Sequence, residues 1–239
     1  MVKFTQEELD QVNKALSTPE ECLKWAFDNI HPKLAKASSF GAEDAAIIDM
    51  MFKINSDARL FTLETGRLPQ ETFDVIDEVQ KRYSTKVEML YPDPQEVETM
   101  VQEKGLNCFF DSIDNRKLCC AIRKVHPMNK MLATLDGWIS GIRNDQNQNR
   151  SEAKMLEIDE MHGGIVKVNP IINWTYEQTW DYIKSNNCPY NKLLDQGFPS
   201  IGCEPCTRPI KNGENIRDGR WWWENDTNKE CGIHMDHDK

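Results

Sequence analysis

The chemistry in this chain is concentrated in cysteines: Cys119 and Cys120 stand side by side in "KLCCAIRK", Cys203 and Cys206 are spaced C-x-x-C in "IGCEPCTRP", and Cys231 lies in the closing "TNKECGIHMDHDK". A C-x-x-C pair is either a redox dithiol or half of a metal site. Together the two pairs offer four thiolates, enough for Zn²⁺ or for an iron–sulfur cluster. Adjacent helical positions point about 100° apart. That divergence suits a bulky cluster better than one ion, so the tandem pair favours iron–sulfur, with zinc and buried, unliganded thiols as the other readings. Cys231 is a different object. A thiol attacks an electrophile as its thiolate, and Gly232, His234 and neighbouring arginines would supply freedom of movement and positive charge; the bland alternative is a cysteine with no task.

Basic groups come next. Arg217 and Arg220 precede three tryptophans in "RDGRWWWE", and with Lys124, Arg143, Arg208 and Lys211 they can form a local pocket for phosphate or sulfate, a role suited to the guanidinium fork. A solvated basic face is the competing reading. The chain as a whole is acidic, with 39 Asp and Glu against 29 Lys and Arg and a formal charge of -10. Such a field excludes broad capture of nucleic acid or of an anionic membrane, so any anion must be held locally. No apolar run of about 18 residues occurs, and "MVKFTQEELD" lacks the apolar core of a leader. A cytoplasmic, reducing setting is expected, in which eight cysteines point to metal or catalysis rather than disulfides.

Something must position these groups. Two helices are expected over residues 5–30, the second capped by Thr18 with Pro19 in its first turn and Glu21 three on. "KLAKASSFGAEDAAIIDMMFKI" reads as strand, loop and helix, "ARLFTLETG" as strand and turn before a helix from about Pro69, and "TKVEMLYP" as a third strand followed by the helix "PQEVETMVQEKG". Strands alternating with helices imply an α/β fold with a mainly parallel sheet. "GWISGIR" and "IVKVNP" read as further strands, and "INWTYEQTWDYIKSN" as a helix with Thr175 and Gln178 at capping-box spacing. "CCAIRKVHPMNKML" is expected to be helical to Lys124, with Pro127 ending or kinking it. Beyond Asn187 turn residues dominate, so a lid or appendage is expected there.

Two loops fall at the carboxyl edge of that sheet. "SSFGAED" (Ser38 to Asp44) joins strand to helix with hydroxyls, a glycine and helix N-terminal donors, the ingredients of an anion cradle, or else of a plain capped connection with Phe40 packed inward. "LETGRLPQET" suits a nucleoside pocket, or a glycine turn into a helix. Neither carries the Walker lysine or a GxGxxG spacing.

These motifs, with "WISGIRNDQ", "KVNPIINWT", "PYNKLLDQGFPSIGCEPCTRP", "GRWWWE" and "KECGIH" in the same order, resemble the thioredoxin-dependent adenylylsulfate/phosphoadenylylsulfate reductase family from about Ser38 to His234. The resemblance implies an adenine-nucleotide α-hydrolase-like (PP-loop) fold, divided into packing helices (1–30), a nucleotide-binding domain (31–220) and a mobile catalytic tail (221–239). It makes Cys119, Cys120, Cys203 and Cys206 the ligands of one [4Fe-4S] cluster per chain, and Cys231 the nucleophile. Lys124, Arg217, Arg220 and His234 would face the phosphosulfate. Ser38, Ser39, Phe40 and Gly41 would form the loop beneath it, with Leu63 and Gly66 bordering adenosine and Arg143 nearby. The implied reaction reduces adenosine 5′-phosphosulfate (APS), or its 3′-phosphorylated form (PAPS), to sulfite and AMP with reduced thioredoxin, in a homo-oligomer that needs neither nucleic acid nor membrane. A zinc-binding, adenylate-using sulfurtransferase is the rival. Departures from the family pattern are Glu64 for a usual Asp, Leu194 for a common His, and "NQNR" after Gln146.

Overall fold

The computed structural model describes residues 4–146 and 153–224. Within them the strands β1 (Leu34–Ser38), β2 (Arg59–Leu63), β3 (Val87–Leu90), β4 (Gly137–Ile139), β5 (Leu156–Asp159) and β6 (Ile165–Val168) form one sheet in the order β3-β2-β1-β4-β6-β5. Every pairing is parallel except that of β5 with β6. The chain winds outward from β1 through β2 to β3 and then resumes at β4 on the other side. Strand order therefore reverses between β1 and β4, and a crevice opens at their carboxyl ends, where α/β sheets bind ligands.

The helices follow from local signals. Thr5 caps α1 (Gln6–Asn13) and Thr18 caps α2 (Pro19–Ile30), each in a reciprocal pair with a glutamate three residues on. Cys22, Leu23, Ala26, Phe27 and Ile30 of α2 enter the main core, so this helix is part of the sheet's packing. Helix α3 (Ala42–Ile54) is buried over most of its circumference, Ile47, Met50 and Met51 included. Helix α4 (Gln70–Tyr83) buries Val75, Ile76 and Val79, while α5 (Pro94–Lys104) starts from an Asp93 cap and buries Met100. Helix α8 (Tyr176–Ser185) carries the capping box expected of Thr175 and Gln178.

Two features depart from expectation. Between α6 (Ile113–Cys120) and α7 (His126–Leu132) the chain stays helical through a π-helical turn, Ala121–Val125, so Pro127 does not end the helix. The His126 N–H donates to the Ala121 carbonyl, five residues back, and this wider turn puts proline in the first turn of α7, where its missing donor costs little. The second is β5, a four-residue edge strand whose last residue, Asp159, accepts the Trp138 indole N–H at 2.8 Å.

After α8 the chain turns back over the sheet's carboxyl edge. Thr207 forms an antiparallel bridge with Arg220, the Arg208 N–H donates to the Gly219 carbonyl at 3.0 Å, and the Trp221 N–H donates to the Cys206 carbonyl at 3.2 Å. A Cβ at Gly219 would lie 2.3 Å from the Arg208 carbonyl oxygen, so the bridge needs glycine there. Trp221 is buried, and Arg116 donates twice to Glu224 at 2.9 Å. Among the described residues no helix is long and apolar enough to cross a membrane.

Candidate active site

Strand β1 ends at Ser38, and the loop to α3 is held from beneath. Lys36 is wholly buried in β1 and pairs with Asp44 in the first turn of α3 at 2.5 Å. The other Asp44 oxygen accepts the Ser39 backbone N–H at 2.7 Å and its hydroxyl at 3.1 Å. A buried lysine is costly unless paired, so this contact makes the loop's position part of the fold. Phe40 adopts a left-handed φ of 58° and sends its ring into the core, while its N–H donates to Ser38 Oγ at 3.0 Å. Ser38, Ser39 and Gly41 are left to line the cleft, whose wall Phe40 does not join. Gly141 closes against the loop, since a Cβ there would lie 2.7 Å from an Asp44 oxygen.

The cleft measures about 280 Å³ and sits at the β1/β4 crevice. Leu63 and Thr65 line it from the end of β2, Ser140 and Gly141 from the end of β4, and Ser200, Ile201 and Gly202 from the returning chain. Lys124, Arg143, Arg217 and Arg220 all reach it. Arg143 is 1% exposed; it donates to Glu43 at 3.0 Å, bonds Asp145, and lies over the Tyr176 ring. Its charge is thus matched on the protein side. Arg220 donates to the Ile201 carbonyl at 3.1 Å and passes over Gly202, where a Cβ would be 2.2 Å from its Nη2.

Beside the cleft the two cysteine pairs meet. Cys120, Cys203 and Cys206 are buried, Cys119 is partly so, and all four border one gap of about 10 Å³ with Phe109, Trp221, Arg67, Arg116, Arg123 and Lys124. Two residues bordering it carry a buried donor without a partner, Arg123 Nε and Trp221 Nε1, and Arg220 Nε, on the cleft side, is a third. Burial alone would raise the Cys203 thiol pKa, but Lys124 above all, then Thr65, Arg220 and Arg123, bring it below the ordinary value. The Thr65 hydroxyl lies 3.3 Å from its Sγ. Burial dominates at Cys206, pushed up to about 12, and at Cys119, also raised. Cys203 is thus better disposed to be a thiolate than Cys206 or Cys119. Among the described residues no three His, Cys, Asp or Glu side chains close on a single-ion position.

Lys124 borders both spaces and so joins the cleft to the cysteines. Gly66 has a φ of +71° and serves Arg123: a Cβ there would lie 3.2 Å from Arg123 Nη1, which donates to the Thr65 carbonyl at 2.6 Å. Gly66 is not on the cleft wall. Cys231 and His234 lie outside the described residues. Sequence alone does not mark Lys36, Asp44, Arg123 and Gly202 as framework. Asp44, Arg123 and Gly202 stood inside quoted motifs, and Lys36 interrupts the apolar run "LAKAS", a signal that a charge there has a partner.

Comparison with known proteins agrees with this geometry. Residues 33–209 match the phosphoadenosine phosphosulfate reductase domain. The chain is 43% identical over 224 residues to the adenosine 5′-phosphosulfate reductase of Neisseria meningitidis serogroup B, covering 92% of this chain and 91% of that protein. It is 44% identical over 205 residues to the protein of the same name from Burkholderia cepacia, covering 86% and 82%. Among solved structures, phosphoadenylyl-sulfate reductase from Candida auris in its phosphate complex superposes with a TM-score of 0.74 at 28% identity, over 87% of this chain and 99% of that one.

Proposed function

This chain belongs to the phosphoadenosine phosphosulfate reductase family, and from that premise we propose that it reduces APS to sulfite and AMP with reduced thioredoxin, through a sulfonate carried on Cys231. The observation that carries the proposal is the cleft at the β1/β4 crevice, where the Ser38–Gly41 loop and four cations surround a space joined by Lys124 to the paired cysteines. Relatives named for APS favour that substrate, and the likeness to a PAPS-reducing structure makes PAPS the second to test.

In this reading the adenylate makes sulfate sulfur attackable by providing AMP as leaving group. The Ser38, Ser39 and Gly41 loop and the Lys124, Arg217 and Arg220 side chains offset charge on the phosphoryl and sulfonyl oxygens, while Leu63 borders the adenosine and Arg143 braces the wall. Cys231 thiolate, with His234 beside it, attacks sulfur, a sulfur–sulfur bond forms, and AMP departs with the electron pair of the broken oxygen–sulfur bond. A thioredoxin thiolate then attacks Cys231 Sγ and releases sulfite; its second thiol resolves the mixed disulfide.

Cys119, Cys120, Cys203 and Cys206 are proposed to hold one [4Fe-4S] cluster. The fit rests on the donor set and its surroundings: four thiols bordering one gap, four basic side chains about it, and two residues on its border, Arg123 and Trp221, with a buried donor that has no partner. When bound, the cluster supplies fixed negative charge beside Lys124 and ties the end of α6 to the Cys203 turn. Cytoplasmic location and homo-oligomeric assembly complete the proposal, on cysteine usage and family resemblance respectively. The test is sulfite release with reduced thioredoxin and each nucleotide: APS is expected to support turnover with a higher kcat/KM than PAPS, and sulfite from neither would refute the assignment.

A further inference from the structure

The tryptophan run ends in an apolar surface that the reaction at the cleft does not use. Trp221 is buried between the guanidinium groups of Arg116 and Arg220, 4.7 and 4.9 Å from its ring, but Trp222 is 48% exposed. The Trp223 ring lies 5.7 Å from that of Trp222 and 4.4 Å from that of Phe110, itself 42% exposed. Among the described residues no other exposed large apolar side chains are joined by ring contacts. Linked in this way, the rings form one small patch rather than scattered apolar residues.

We propose that Phe110, Trp222 and the edge of Trp223 are the docking surface for the dithiol protein that removes the sulfonate from Cys231. The inference rests on the function proposed above, and three observations select the occupant. First, the tether to Cys231 starts here: Glu224 is pinned by Arg116 in a buried, two-bond ion pair. Cys231 follows seven residues later, so covalent geometry keeps its Sγ within about 25 Å of Glu224. A reductant must rest on surface inside that radius, and Trp222 stands two residues from the tether's origin. Second, the patch adjoins the cleft without entering it, because Arg217 and Arg220 line the cleft and Trp222 and Trp223 do not. A protein docked there can meet a thiol leaving the cleft. Third, the patch is small. Two half-exposed rings offer on the order of 200 Å², far below the roughly 800 Å² per partner of a stable dimer but in keeping with brief redox encounters. A second copy of this chain fits less well on that ground. The step is balanced: the partner's thiolate forms a disulfide with Cys231 Sγ, the bond from Sγ to the sulfonate breaks, and sulfite leaves with its electron pair. The second thiol then displaces Cys231 and closes the partner's disulfide.

The test uses Trp222→Ser, Phe110→Ser and the double variant of the full chain, with reduced thioredoxin and, separately, dithiothreitol as reductant. Sulfonate transfer to Cys231 from APS, followed by mass spectrometry without reductant, reports on the first half-reaction. The double variant should raise the thioredoxin KM at least about fivefold, as loss of an aromatic anchor does. Adduct formation and turnover with dithiothreitol should stay at the parental level. An unchanged thioredoxin KM in the double variant would overturn the proposal. So would an equal loss with both reductants, which would assign the patch to the chain's own tail, or a fall from oligomer to monomer on sedimentation, which would assign it to self-association. Absence of the adduct in the parent protein would instead refute the underlying function.

Discussion

Arg220 passes directly over Gly202, where any side chain would displace its guanidinium. A methyl group there would overlap the guanidinium at 2.2 Å, so Gly202→Ala should expel Arg220 much as Arg220→Ala deletes it. Each substitution is expected to lower kcat/KM for APS by roughly 10²-fold, the usual loss when one donor to a developing oxyanion is removed. The double variant should be little worse than either single one, since both remove the same contact; losses that multiplied would show that Gly202 acts otherwise. Lys124 bears a different load, being common to the cleft and the cysteine gap and the largest favourable influence on the Cys203 thiol. For Lys124→Ala the rate of sulfonate transfer, followed by rapid quench, should fall by about 10²-fold while AMP affinity by calorimetry changes less than about tenfold. A loss in affinity as large as the loss in rate would make Lys124 a ground-state contact only.

At the scale of elements, one carboxylate fastens three helices. Asp49 of α3 is buried and accepts the hydroxyls of Tyr83 from α4 and Tyr182 from α8, each at 2.9 Å, with Lys53 at 2.6 Å. Burial opposes its charge, yet Lys53, Tyr83 and Tyr182 outweigh burial and hold the carboxyl below its usual range. Burial first, and then Asp49, push both phenols upward. A depressed acid contributes stability above its unfolded pKa of about 3.9 and loses it as pH falls through the folded value, while a raised phenol contributes below about 10 and loses it as pH rises. Asp49→Asn should therefore cost about 1–3 kcal/mol at pH 7, read as a lower urea midpoint with an unchanged slope. The deficit should shrink below about pH 4 and above about pH 10. A deficit constant with pH would mean that shape, not charge, is what the substitution disturbs.

Across the whole molecule, what was legible in the sequence was what is local. The β1–α3, β2–α4 and β3–α5 units each declare themselves by a short apolar run followed by a helical stripe, and the caps at Thr18 and Thr175 lie within three residues of their partners. The cysteine pairs and basic motifs were visible as types, and the structure gathers all four cysteines around one gap. What pairs across distance was not visible. Arg116 and Glu224 are 108 residues apart, β5 is an edge strand of four residues with only its ends buried, and Lys36 offers no sign that its partner is Asp44. Nor does the sequence tell that Gly66 makes room for Arg123, or that Phe40 anchors its loop from the core side. The fold explains how an acidic chain handles an anion: Lys124, Arg143, Arg217 and Arg220 meet at one crevice at the strand-order reversal, with Arg143 held by Glu43, while Asp44, paired with buried Lys36, fixes the loop beneath. In the proposed reaction oxidised sulfur passes from the adenylate to Cys231 before any partner protein acts. This transfer is tested most directly by mixing the purified, thioredoxin-free protein with APS and mapping the products by peptide mass spectrometry. One sulfonate per chain is expected, confined to Cys231, formed with an equivalent of AMP and absent from Cys231→Ser. AMP and sulfite released while Cys231 remains unmodified, or a Cys231→Ser variant that sustains turnover with thioredoxin, would contradict it.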